Sequence, residues 1–563
     1  MKIPSLSTIL AGSLVAANLI GSPVQRLLDL HPQDTDMLVV VPDMRALQDG
    51  YYASALGQHF DREWVDSLFQ LIELESGMSL EGLGQAEEGP LVLSVFGLTG
   101  LMREDEGFGM AVTWNFKGGR DLWIEKLEAL AEELEFSIEY TDFDGEEVAS
   151  LMVPRARDSD PKIEFVLLDG AAVMTVSDLG AGPFVDRFTG KGVPLPLDWF
   201  PVNLNLAAYE EGQLYVVMKV EPIFRELGNM MRHLLVDTEI GAEGLVEAMA
   251  FDGLRTLAFG VTFEGEEMRS LSSLDYNKAK GLGKLFEFHS LGSNVLEPMP
   301  VGAVASTQVG YELSGTLNEI ERMVEAGFPA EFSQYVAAAA GFGGALGIDI
   351  RASVKESFGS VVGIYEFASL NETEEGELPI NDQVFVFDLK PNQTLEALIQ
   401  LLLQSFPDAT MFVDSEMADN IPAQVVRLNR FAPMPDDSPS VYAWAFAENK
   451  LLLGLGTSEP HFRFPSILSP GEATPRDRTI RSYLSLIGPK DFVATGYVDY
   501  GGQLGNTFET IANEIEFSNE ESEKLWSVVM GKLETIPFQA VSASWYEGEV
   551  LESIGYIFGS ETQ

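Results

Sequence analysis

Short apolar runs, long amphipathic stretches and strictly alternating segments follow one another along this chain in an order that is written twice. MLVVV at 37–41 precedes a helical pattern over 44–74, and AVAST at 303–307 precedes one over 313–340. Each is followed by a glycine-bounded polar stretch and an apolar strand: GMSLEGLGQAEEGPLVLSV from Gly77 aligns without a gap on GIDIRASVKESFGSVVGIY from Gly347, an offset of 347 − 77 = 270. Next come GMAVTWNFKGGRDLWIEKLEAL from Gly109 and QVFVFDLKPNQTLEALIQLLLQ from Gln383. Both read as an alternating strand, a lysine at its end (117 and 390), a turn and an amphipathic helix. Asp169-Gly170 before AAVMTVS and Glu448-Asn449 before KLLLGLG mark polar hairpin turns. A third pair opens with LYVVMKVEP at 214–222 and FVATGYVDY at 492–500. It closes with two strands joined by Glu264-Gly265-Glu266 or Glu547-Gly548-Glu549, where glycine supplies positive φ.

Three units in one order, at offsets drifting only from 270 to 283, predict an α+β protein of two homologous halves, residues 31–285 and 296–560. Each half is expected to contain three strand-helix-strand-strand units that form twisted antiparallel sheets with helices packed on one face. Gly77, Gly347, Gly265 and Gly548 are the predicted structural turns. Polar, aperiodic stretches at 277–284, 371–378, 431–440 and 469–475 read as linkers.

The stretch GFGGALGIDI at 341–350 approaches a dinucleotide-binding fingerprint. That motif needs a strand before it and a helix beginning inside it, so that backbone N–H groups and the helix terminus meet the phosphates. Here a helical pattern precedes and a strand follows. Gly341, Gly343 and Gly344 are therefore expected to end the helix, with Gly347 as the turn glycine.

The Gly347-Ile348-Asp349-Ile350 turn, the short amphipathic stretch after it and Phe358-Gly359 before an apolar strand, with the partner segment at 77–89, resemble a family of bacterial exported proteins known only as a domain of unknown function. Asp34-Thr35-Asp36 followed by VVVPDMRAL is similar to that family's usual opening. The resemblance implies a cell-envelope location and supplies no catalytic residues. The chain departs from the family in lacking a long transmembrane anchor.

The N-terminus agrees with export. Lys2 precedes the apolar run 9–17, and Val15 with Ala17, or Leu19 with Gly21, place small or apolar residues before a cut. This is the layout of a signal peptide over residues 1–21, or of an uncut N-terminal anchor. No other stretch reaches the roughly 18 uninterrupted apolar residues of a membrane-spanning helix. The expected location is the periplasm or envelope of a bacterium.

Composition narrows the partners. Hydrophobic residues at 46% suffice for packed cores in a chain of 563 residues. Asp and Glu number 87 against 35 Lys and Arg, a formal charge of −52. Such a surface repels nucleic acid and anionic lipid headgroups. With no cysteine there is no disulfide, thiolate metal site or thiol nucleophile.

Candidate chemistry is sparse. His31, His59, His233, His289 and His461 are scattered, without a close metal-ligand pair. Neither a G-x-S-x-G elbow nor a phosphate-binding loop is present. Asp142-Phe143-Asp144-Gly145-Glu146-Glu147 has the flavour of a calcium loop, which makes Asp142, Asp144 and Glu146 the metal candidates and Ca²⁺ the one cofactor to consider. The full twelve-residue loop is missing, the second half carries 414–420 in its place, and a polar hairpin turn is the competing reading. Trp114, Trp123, Trp444 and Trp545 sit in strand or helix patterns that suit core packing. The expectation is a non-catalytic exported envelope protein, a binding or scaffold module for an envelope protein or another ligand. The alternative is a secreted carboxylate-dependent hydrolase acting on polysaccharide.

Overall fold

The computed structural model describes residues 23–33, 35–76, 89–98, 108–133, 136–152, 162–193, 195, 213–235, 242–278, 281–292, 299–368, 381–391, 395–405, 412–428, 440–457, 459–472, 474–503, 520–533 and 535–559. The predicted signal peptide, Gly77, and the linker stretches 371–378 and 431–439 lie outside these residues.

The chain forms two compact units. The first comprises residues 1–58, 72–230 and 254–276, and the second comprises 59–71, 231–253 and 277–563. They do not follow 31–285 and 296–560 as continuous spans, because residues 59–71, 231–253 and 277–285 of the first half belong to the second unit. In the first of these stretches the Trp64 indole N–H donates to the Val529 carbonyl (3.0 Å), and His59 Nε2 lies 2.7 Å from the Lys532 carbonyl.

The first unit contains β1 (Thr35–Val41), β2 (Leu91–Phe96), β3 (Gly109–Asn115), β4 (Ser137–Phe143), β5 (Glu146–Met152), β6 (Lys162–Leu168), β7 (Ala171–Ser177), β8 (Leu214–Lys219), β9 (Leu254–Glu264) and β10 (Glu267–Tyr276). Every pairing is antiparallel, and the spatial order is 4-5-6-7-3-2-1-8-9-10. The second unit contains β11 (Ala303–Gly310), β12 (Phe358–Phe367), β13 (Asp382–Leu389), β14 (Asp414–Ala418), β15 (Ile421–Arg427), β16 (Val441–Ala447), β17 (Lys450–Gly456), β18 (Phe492–Asp499), β19 (Phe538–Glu547) and β20 (Val550–Gly559). Its order is 14-15-16-17-13-12-11-18-19-20, again antiparallel throughout. Counted within each unit, the two orders are the same.

Turn chemistry fixes the hairpins. Gly265 (φ 64°) and Gly548 (φ 66°) occupy the first central position of the two-residue loops between β9 and β10 and between β19 and β20, where positive φ matches a II′ turn. Asp169-Gly170 and Glu448-Asn449 have positive φ at both central positions, the I′ geometry that suits the twist of the flanking strands.

Helices cover both faces of the first sheet, which corrects the expectation of one. Successive residues of a strand point to opposite faces. One face, carrying Leu38, Val92, Ala111, Val173 and Val217, packs with the helices Pro23–Leu28 and Gly182–Phe188. The other, carrying Trp114, Ala149, Phe165 and Ala172, packs against Trp123, Leu127 and Ala131 of the helix Arg120–Glu133. A sheet apolar on both faces has to be covered twice, and alternation within one strand does not say by what.

Two helical boundaries also differ from the sequence pattern. The stretch 44–74 divides into helices Met44–Ala53, Ala55–His59 and Arg62–Ser76. The stretch 313–340 divides at Phe328, with Pro329 opening the second helix, Pro329–Leu346. Gly341, Gly343 and Gly344 lie inside that helix rather than ending it. Gly347 (φ 70°) ends it in the left-handed region, and the Ile348 N–H returns to the Gly343 carbonyl at 3.0 Å. A Cβ on Gly343 would stand 2.4 Å from the Ile348 carbonyl, so the closing turn needs glycine there. Asp349 then caps a further helix, Ile350–Ser357, before β12.

Candidate functional site

A cluster of titratable groups in the second unit lies at one end of its sheet. Asp414 and Glu416 are two residues apart on β14, hence on one face. Cross-strand pairing of Asp414 with Val425 and of Glu416 with Ala423 puts Arg427 of β15 on that face as well. After β17 the chain turns through Glu459 into a single 3-10 turn, Pro460–Arg463. Glu459 (φ −110°, ψ 76°) lies outside the helical region, which proline disfavours for the residue before it, and Pro460 opens the turn. Gly454 on β17 lets the turn lie directly on the sheet, since a Cβ there would meet Pro460 at 2.9 Å and Phe464 at 3.3 Å. His461 consequently has no exposed surface, whereas Phe462 points outward.

Arg427 organises the carboxylates. Its Nη1 donates to Asp414 (3.0 Å) and Glu416 (2.6 Å), and its Nε and Nη2 grip Glu459 at 3.0 and 2.5 Å in a two-pronged pair. These bonds raise the affinity of the guanidinium for its proton and hold the Glu416 carboxyl below the usual carboxylate range. His461 sits between two of the carboxylates, with Nε2 3.2 Å from Glu416 and Nδ1 3.5 Å from Glu459. Neither nitrogen makes an aligned hydrogen bond. Burial lowers its pKa and outweighs the opposing pull of Glu459 and Glu416. Three carboxylates against one guanidinium leave the cluster with a formal charge of 1 − 3 = −2.

Among the described residues, Glu416, Glu459 and His461 are the group whose ligand atoms all lie within 4.8 Å of one another, the spacing at which side chains can share a cation. The residues singled out in the sequence are placed otherwise. Asp142 accepts from the Gly145 N–H (3.2 Å), Asp144 (φ 54°) and Gly145 (φ 90°) form an I′ turn, and Asp144 pairs with Lys191. Glu147 pairs with Arg120 at 2.9 Å, and Glu146 begins β5 opposite Phe143. Glu416 and Glu459 were hidden among 87 acids and His461 among scattered histidines. The only local signal was the Glu-Pro-His sequence at 459–461.

His31 and Glu552 are among the other buried groups with shifted ionisation. His31 is enclosed in the first unit. Its Nε2 lies 2.9 Å from the Thr113 hydroxyl and its Nδ1 2.7 Å from the Ser94 hydroxyl. Thr113 itself donates to the Val92 carbonyl (3.4 Å), so it accepts from Nε2–H and leaves Nδ1 to accept from Ser94. Burial, and then the charge of Arg187, push the ring down to about 3. Glu552 is buried on β20 opposite Trp545, and burial followed by the nearby Glu547 pushes its carboxyl up to about 7, against the opposing pull of Lys490.

No family model matches the chain, and no curated protein is similar to it. Three crystal forms of TP0453 share a limited likeness with it. Form I has a TM-score of 0.25 at 10% identity, covering 45% of this chain and 79% of that one. Form III gives 0.25 at 8% identity over 47% and 87%, and form IV gives 0.23 at 9% over 44% and 79%. At these scores the likeness defines neither fold nor function. Among the described residues, no helix is long and apolar enough to cross a membrane.

Proposed function

We propose that the chain is an exported, non-catalytic binding or scaffold protein of the cell envelope, built from two copies of one α+β unit. The observation that carries the reading is the strand order: ten antiparallel strands are threaded identically in each unit. The organisation of the acidic cluster adds to it. A general acid must hold a proton near neutral pH, and Glu416, bound by Arg427, is instead kept as an anion.

The competing hydrolase reading is favoured by Glu552, whose carboxyl is pushed up to about 7, in the range useful to a general acid. One assay separates the two. The secreted chain, with its N-terminus located by mass spectrometry near Asn18 or Ser22, is incubated with envelope polysaccharides while reducing ends and bound glycan are both measured. Retention of glycan or of an envelope protein without bond cleavage supports the binding module. Release of reducing ends with an activity limb near pH 7 that disappears in Glu552→Gln overturns it. An intact Met1 in a soluble cytoplasmic fraction removes the export claim.

A further inference from the structure

We propose that Glu416, Glu459 and His461 form a binding site for one divalent transition-metal cation, Zn²⁺ in the first place. The proposal does not depend on the function proposed above. Two independent observations meet in it. The first is convergence: the three ligand atoms, one imidazole nitrogen and two carboxylate oxygens from β14 and the turn after β17, lie within 4.8 Å of one another. The second is His461 itself, fully buried, with both ring nitrogens lacking an aligned partner and facing carboxylates at 3.2 and 3.5 Å. An unpaired buried imidazole is costly, and metal coordination is a use for such a nitrogen that leaves the ring neutral.

Charge and geometry agree. Three carboxylates, Asp414, Glu416 and Glu459, face the one guanidinium of Arg427, an excess of negative charge that a divalent ion offsets. The neighbouring Arg463 is directed elsewhere: its Nη2 donates to the Ala368 carbonyl at 3.1 Å, and its Nε lies 3.7 Å from Asp382. Ligands at Zn–N and Zn–O distances of about 2.0–2.2 Å around a tetrahedral ion stand roughly 3.3–3.5 Å apart, close to the 3.2 Å between His461 Nε2 and Glu416 Oε2. Glu459 closes the set by turning one carboxylate oxygen away from Arg427, for which its 38% exposed side chain leaves room. Water supplies the fourth position, and Arg427 stays on Asp414. The imidazole ligand selects Zn²⁺ over Ca²⁺, Mg²⁺ and Mn²⁺, which favour oxygen ligands.

The test uses the full mature chain, stripped with EDTA and titrated calorimetrically with ZnCl₂ and MnCl₂. CaCl₂ at matched ionic strength reports non-specific binding by the acidic surface. One saturable Zn²⁺ per chain is expected, weakened about tenfold or more in His461→Gln and in Glu416→Gln and unchanged in Asp142→Asn. A Co²⁺-loaded wild-type chain provides a readout that needs no variant: intense visible bands of a four- or five-coordinate nitrogen/oxygen site are expected. The absence of a saturable step, affinity unaffected by His461→Gln, or the weak spectrum of six oxygen ligands overturns the proposal.

Discussion

His31 and His461 are both buried without exposed surface, yet the two units treat them in opposite ways. Around His31, two hydroxyls satisfy both ring nitrogens, and the ring's edge meets Phe184 with centroids 5.6 Å apart. Around His461, the neighbours at hydrogen-bonding range are carboxylates already committed to Arg427, and neither nitrogen is satisfied. A buried polar group without a partner costs more than the paired one contributes. The first environment therefore describes a histidine completed by its hydroxyl partners, and the second a histidine whose ring nitrogens the fold leaves without an aligned partner. Burial alone does not distinguish them. The complement of donors and acceptors does.

The largest effect expected from this contrast is in acid. His31 has a folded pKa of about 3 against an ordinary 6.5. Its contribution is fully present above pH 6.5 and is lost as pH falls toward 3, because the unfolded chain takes up a proton that the folded one refuses. Between pH 7 and pH 4 this amounts to about 3 kcal/mol. Denaturant unfolding of the wild type and of His31→Gln, compared over that range, should show the difference. Parallel pH profiles would mean that His31 is not the closed, neutral group described above.

Next comes Arg427. Replacing it with Leu leaves Asp414, Glu416 and Glu459 facing one another and should cost about 2–3 kcal/mol in low salt, with part recovered by 1 M KCl through screening. A cost that does not respond to salt would locate the damage in packing instead. His31→Leu, which strands the Ser94 hydroxyl, should cost about 2 kcal/mol at neutral pH.

The turns at which the units agree provide the reference. Valine at Gly265 or Gly548 is forced into positive φ with no neighbour within 4 Å of its Cβ position, so conformational strain alone should cost about 1–2 kcal/mol, nearly equal at the two sites. Unequal losses would show that these hairpins are not equivalent. The smallest change is expected for His461→Leu in EDTA, within about 1 kcal/mol of wild type, because an apolar side chain removes two unsatisfied nitrogens. If it proves as costly as His31→Leu, the contrast between the two histidines fails.

Much of the fold was legible because it is local. Two-residue loops fall where Asp169-Gly170, Glu448-Asn449, Gly265 and Gly548 stand, since positive φ is a property of one or two residues. The helix after the lysine at 117 or 390 is present in each unit, as Arg120–Glu133 and Leu395–Ser405. Less legible were the break at Phe328-Pro329 and the run of helix through Gly341 and Gly344. Pro329 opens a new helix after Phe328, and that helix runs on through Gly341 and Gly344 against the low helix propensity of glycine until Gly347 ends it.

The candidate site was illegible for a different reason. Acidic residues are abundant enough that any short window offers a plausible ligand pair, so Asp142, Asp144 and Glu146 looked as good as any. They proved to surround a hairpin turn. Alternation and turn residues settle which stretches become strands and where they reverse, because those are energies of neighbouring residues. They do not settle which strands become neighbours, what covers each face of a sheet, or that residues 416, 427, 459 and 461 share a few ångströms. Those relations depend on antiparallel pairings between distant segments, such as β13 with β17, and on Gly454 admitting the 3-10 turn onto the sheet. Only the closed fold brings such groups into contact, and the charge and solvent exclusion that set their chemistry are properties of that contact.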